Sequence, residues 1–178
     1  LPIYKAGQDT IGGNDRLKKA ALAIIPWLDA RGNMVVFGDT RGGPPNFALF
    51  ERLLTYYTWV GDEKNAATMS TAIRLGMEQG VYDRHRSNWL GILLNVDPLP
   101  QGGGSLPNIR TAYSVHHRHI TMKNLNDPAN GLMATLYGGH PKNDHLSPNG
   151  LAMQLYGKGW ALAPDSSGYV SYWSDDFG

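Results

Sequence analysis

Two histidines, a lysine and an aspartate crowd one short stretch of this chain. His140, Lys142, Asp144 and His145 all fall within LYGGHPKNDHLSPNGLAMQLYGKGWALAPD, residues 136–165. Imidazole titrates near neutral pH and serves as a general base or acid. A Gly/Pro/Asn-rich loop at the mouth of a sheet is where such groups are disproportionately found. Asp165 lies beyond a strand and a tight turn, so adjacent strands can bring it back to His145, to orient the ring or share a metal. A second group comprises Arg110, His116, His117, Arg118, His119 and Lys123, with no carboxylate between its ends. Read as one strand, it puts His117 and His119 on one side and His116 and Arg118 on the other. Such a strand is a polar face beside a groove, a seat for an acidic ligand, or a metal cluster. A third candidate is FGDTRGG, where Asp39 and Arg41 either line a cleft or form a turn.

Stepping along the chain, the first half is helical in pattern. Asn14-Asp15 is placed to cap a helix that puts Leu17, Ala20, Ala21, Ile24 and Leu28 on one face, with Pro26 ending it early. Asn46 caps a second helix with Phe47, Phe50, Leu53, Leu54 and Tyr57 inward. Asp62 caps a third with Ala66, Met69, Ile73 and Met77 inward and Gly80 as the stop. The short link Val60-Gly61-Asp62 predicts an antiparallel helical hairpin. LPQGGGSLPN (99–108) reads as a linker. After it, 111–122, 131–137, 151–156, 160–163 and 169–173 read as short strands, with a hairpin turn at 157–159. The expected fold class is therefore α+β: helical hairpins over 1–98, a linker at 99–109, and an antiparallel sheet portion over 110–178.

Composition narrows the function classes. Across 178 residues the net charge is +1, so nothing global points to nucleic acid. No apolar run approaches a membrane span. The absence of cysteine excludes disulfides, zinc–thiolate sites and cysteine nucleophiles. P-loop, dinucleotide-fold, HExxH and nucleophile-elbow motifs are absent. With 9 Tyr and 5 Trp, the chain has aromatics to stack on sugar rings, Trp89 and Trp160 among them. Both ends read as cuts through a longer protein.

The segment HPKNDHLSPNGLAMQLYGKGWALAPDSSGYVSYW resembles the start of the β-sandwich in heparinase II/III-like polysaccharide lyases. The matching features are a His-containing loop, Asp144-His145-Leu146-Ser147, Leu155-Tyr156, the Gly157/Gly159 turn and Pro164-Asp165. The helical half similarly resembles the closing hairpins of the incomplete α/α toroid that precedes this sandwich, MVVFGDT fitting an inter-hairpin segment and WLGILLNVDPLP the toroid's last helix. The family's loop is His-x-His, whose first member is catalytic and whose second binds a metal. This chain has no His-x-His there. Counting back from Tyr156 puts His145 at the catalytic position and Ser147 at the metal position; aligning on Asp144-x-Leu-Ser puts His140 and Lys142 there instead.

The resemblance implies β-elimination on a uronic-acid-containing polysaccharide, in a periplasmic or secreted enzyme. His145 or His140 is then the catalytic candidate. Arg110, His117, Arg118, His119, Lys142 and Trp89 are the candidates for binding an acidic polysaccharide or oligosaccharide. Asp165 is the candidate ligand for a structural divalent metal, zinc or calcium. The family's carboxylate-neutralising Asn or His and its Tyr map to no residue here, so the chain alone is expected to bind uronate polymers weakly without cleaving them. The alternatives are a non-catalytic carbohydrate-binding fragment and a glycoside hydrolase. The latter needs two carboxylates across a cleft, for which Asp39, Asp144 and Asp165 are available.

Overall fold

The computed structural model describes residues 4–5, 8–9, 15–29, 32–35, 43–85, 95–101, 103–106, 111–115, 118–124, 131–138, 152–158 and 160–163. Among these, two minimal strands, β1 (Tyr4–Lys5) and β2 (Gln8–Asp9), pair antiparallel. Three helices follow: α1 (Arg16–Ile24), α2 (Phe47–Val60) and α3 (Glu63–Glu78). The five strands β3 (Thr111–Ser114), β4 (His119–Asn124), β5 (Leu132–Tyr137), β6 (Ala152–Gly157) and β7 (Trp160–Ala163) form one antiparallel sheet in chain order. The chain is thus a mixed α+β protein. It divides into two compact units, residues 1–25 with 44–108, and residues 26–43 with 109–178.

The helical unit is built on the α2–α3 hairpin. Asn46 caps α2 by accepting the Ala48 amide at 3.1 Å, and Asp62 caps α3 by accepting the Asn65 amide at 3.1 Å. That amide bond holds the Asp62 carboxyl below its ordinary pKa, as expected for an ionised cap. Gly61 closes α2 in the left-handed conformation (φ 75°), which a residue with a Cβ adopts only at a cost. The hairpin is antiparallel: Phe47, at the start of α2, lies against Gly76 near the end of α3, where any Cβ would collide with its ring. Phe50, Leu53, Leu54, Met69 and Ile73 are fully buried, each burial contributing about 1.5–3 kcal/mol.

Several expectations change here. Leu17 and Met77, read as inward, are exposed. Helical period identifies a face but not how far the covering layer reaches along it. Asp15 stands at the N-cap of α1 without a side-chain cap bond and instead pairs with Lys18 at 3.1 Å. Residues 95–100, read as the end of a last toroid helix, are not helical. Part of this segment is held by Arg84, which donates to the Val96 carbonyl at 2.7 Å.

The second unit contains a strap that the sequence assigns to the helices. Beyond α1 a 3₁₀ turn (Ile25–Trp27) leads into a bridge between Leu28 and Met34, and Met34 bridges again to Gly43. Asp29 folds the tip, accepting the Asn33 amide on its carboxylate at 3.1 Å and the Gly32 amide on its carbonyl at 3.0 Å. Val35 packs with Met133 and Tyr156 of the sheet, with Trp27 against them. The reading of 1–98 as one helical portion misses this, because Pro26 releases a stretch that finds its partners some 95 residues later.

Register shows which face the strap covers. Pairing of Thr121 with Thr135, and of Thr135 with Gln154, puts three polar residues side by side across β4, β5 and β6. All three are at most 1% exposed. Buried polar groups need partners, and these have them. Thr121 Oγ1 donates to the Pro26 carbonyl at 3.2 Å, Thr135 Oγ1 to the Ile120 carbonyl at 3.1 Å, and Tyr156 donates to Gln154 Oε1.

Candidate functional site at one end of the sheet

The strand pairing puts the strand ends that flank two of the candidate-bearing connections at one end of the sheet. Ser114 pairs with His119, His119 with Tyr137, and Tyr137 with Ala152. Consequently the β3–β4 connection, which carries His116, His117 and Arg118, opens at the same end as the β5–β6 connection, which carries His140, Lys142, Asp144 and His145. The two connections belong to neighbouring strand pairs. Their bases are joined by a 2.7 Å bond from the Gly138 amide to the Arg118 carbonyl. A Cβ on Gly138 would press on Arg118, so glycine permits this approach. The antiparallel β7 runs back toward the same end, and Asp165 follows two residues after its last residue.

The basic stretch is not one strand. It breaks into β3 and β4 about a turn in which the Arg118 amide donates to the Val115 carbonyl at 3.3 Å, with Arg118 in the left-handed conformation (φ 47°). Four residues at strand propensity cannot reveal a turn that lacks glycine and proline. Arg118 is exposed at this turn, where its guanidinium is open to solvent. A guanidinium presents a planar fork suited to carboxylates.

His119 sits differently. It lies half-buried on the covered face, its ring 4.5 Å from that of Trp27 and 6.1 Å edge-on from that of Tyr137. Its Nε2 is 2.6 Å from Thr135 Oγ1. Both Thr135 contacts are satisfied together only when its hydroxyl donates to the Ile120 carbonyl and Nε2 carries the hydrogen and donates. Nε2 is therefore committed to the fold, and His119 supports the site end through its ring contacts. Trp27 and Thr135, which fix this ring, were not singled out from the sequence. The polar Thr135 within the apolar LMATLY run was the available signal for a buried hydrogen-bonding row.

At the other end of β4, Lys123 Nζ donates to the Leu28 carbonyl of the strap at 3.3 Å. Burial pulls its pKa down to about 8, while the nearby Asp29 carboxylate acts in the opposite direction. Strand alternation puts Lys123 on the same face as His119 but four residues away, roughly 13 Å along the strand. It helps seat the strap rather than joining the histidine end.

Among the described residues of the helical unit one carboxylate, that of Glu51, is fully buried, and it is already spent. Arg84 grips Glu51 with two bonds, Nε to Oε1 at 2.7 Å and Nη2 to Oε2 at 3.1 Å, and the Tyr82 hydroxyl donates to Oε1 at 3.2 Å. Burial first, and then the Glu51 charge, push the Tyr82 hydroxyl up to about 12. Tyr82 therefore stays a donor at physiological pH. A base would need its pKa moved the other way, so this cluster is a structural clamp.

Of the residues read from sequence as site candidates, the described ones are Arg118, His119, Lys123 and Trp160. His145, His140, Arg110, His117, Lys142, Trp89 and Asp165 lie outside the described residues, as do Asp39, Arg41, Asp144 and the strand expected at 169–173. No group of three or more His, Asp or Glu among the described residues is arranged to hold a metal. Nor is any described helix long and apolar enough to cross a membrane. No family profile, curated protein or solved structure matches this chain.

Proposed function

We propose that this chain is part of a polysaccharide lyase that cleaves a uronic-acid-containing polymer by β-elimination. The observation that carries the reading is the convergence of the two His-bearing connections on one end of a single sheet, with Arg118 exposed beside them. Helices followed by an antiparallel sheet accord with the toroid-then-sandwich order of the lyases it resembles.

In this reading Arg118, with His117 and Lys142, draws in the polyanion. Neutralising the uronate carboxylate acidifies the neighbouring carbon-bound proton. A base, His145 or His140, takes that proton; the electron pair forms the carbon–carbon double bond, and the glycosidic oxygen departs and is protonated. Stabilising the charge that develops on the carboxylate is the largest contribution.

Two measurements test this. The chain should bind uronate polymers and release them as salt rises, since exposed charges are screened beyond about 8 Å at physiological ionic strength; it should ignore neutral glucans. In the full enzyme that contains this chain, His145→Ala or His140→Ala should cut formation of the ultraviolet-absorbing unsaturated product by about two orders of magnitude with unchanged stability. Full activity in both variants would sink the catalytic assignment. Binding without turnover by the full enzyme would make this a carbohydrate-binding protein instead. Products lacking ultraviolet absorbance would make it a hydrolase.

A further inference from the structure

The face of the sheet opposite the strap is apolar and open. Register puts Tyr113, Met122, Leu132, Met153, Leu155, Trp160 and Leu162 on it, alternating with the covered polar row. Exposure runs from 36% at Leu155 to 72% at Trp160. A groove of about 530 Å³ passes between Met122, Leu132, Leu155 and Leu162. No residue that register assigns to this face, among those described, is charged.

We propose that a second copy of this chain covers this face, the two sheets stacking about a two-fold axis. Area argues for it. With seven large apolar side chains exposed by roughly half on this face, and about 150–250 Å² for a large aromatic one, the face offers on the order of 700 Å². A specific interface buries about 800 Å² per partner, whereas apolar patches on monomers are typically about 300–600 Å². Charge argues for it too. A two-fold contact sets the patch against itself, and an uncharged patch meets no like charge there. Aligned sheets interdigitate at about 10 Å, which the ridge of Leu132, Leu155 and Leu162 suits. The inference rests on the exposed face of the sheet alone, and sedimentation tests it apart from product formation.

The test is sedimentation velocity on the intact 178-residue chain at micromolar concentrations, with Leu132→Lys and Leu162→Lys beside it. Both side chains are about 60% exposed, so neither substitution removes core. The unaltered chain should be a dimer. Each variant should weaken the dissociation constant by at least about a hundredfold, because an unpaired charge would have to be desolvated in the contact. Circular dichroism should show the variants folded, and Trp160→Phe should remove the concentration-dependent blue shift in fluorescence. A folded monomer at tens of micromolar would overturn the proposal and leave the face to a different partner. A dimer indifferent to both lysines, or open-ended assembly through the β3 and β7 edges, would overturn it equally.

Discussion

Replacing Arg84 by Met should unfold the helical unit far more readily than any surface change. Glu51 is 0% exposed and takes both carboxylate oxygens to Arg84, which is itself only 7% exposed. Without the guanidinium, Glu51 keeps the Tyr82 hydroxyl as its side-chain partner among the described residues, and the Val96 carbonyl loses the Arg84 donor. Breaking a buried pair from one side costs about 3–5 kcal/mol. The 3.5 Å contact to the exposed Asp97 adds no more than about 1 kcal/mol, being open to solvent. At about 4–8 °C per kcal/mol for a unit of this size, the melting temperature should fall on the order of 15–30 °C. Glu51→Leu combined with Arg84→Met should recover most of that loss, because a well-packed apolar pair is often as stable as a buried ion pair. Urea unfolding of the wild type, both single variants and the double variant completes the cycle. A single-variant cost below about 1 kcal/mol, or a double variant as unstable as the two losses added, would refute the clamp. In the proposed lyase, a folded Arg84→Met protein that had lost only turnover would make Glu51 and Arg84 part of the chemistry instead.

Two further outcomes follow from the sheet unit. Folding holds the Lys123 pKa at about 8 against an ordinary 10.5. The unfolded chain therefore binds more protons between those values, and stability should rise as pH climbs from about 8 toward 10.5. That gain, fully present above 10.5, is lost as pH falls through about 8. Lys123→Met should flatten this part of the stability–pH curve, and an unchanged slope would show that Lys123 is not held against the strap. Thr135→Val leaves the His119 Nε2–H facing a methyl group, an unsatisfied donor costing about 1–3 kcal/mol. Nitrogen chemical shifts of the imidazole should report Nε2–H in the wild type; Nδ1–H there would show that the assigned hydrogen-bond direction is reversed.

The local elements were legible in the residues themselves. Asn46 and Asp62 announce their helices because an unpaired amide at a helix start needs a side-chain acceptor, and Gly61 and Gly80 end theirs because they tolerate positive φ. The strands at 132–137, 152–157 and 160–163 follow from β-formers set between turn residues. Such signals act within a few residues, so the sequence alone determines them. Of the candidate site, the sequence determined the residue types and the order in which they arrive.

Tertiary structure decided which ends and which faces matter. Nothing local says that the His140–His145 segment and the Arg118 turn open on the same side; that follows from the antiparallel register of β4, β5 and β6. Nor does alternation say which face of a sheet is covered. By hydrophobicity the face with Leu132, Leu155 and Leu162 would be buried, yet the strap lies on the side with Thr121, Thr135 and Gln154. The strap carries carbonyls that Thr121 and Lys123 can bond, so its place depends on partners far along the chain, and only the folded molecule brings them together.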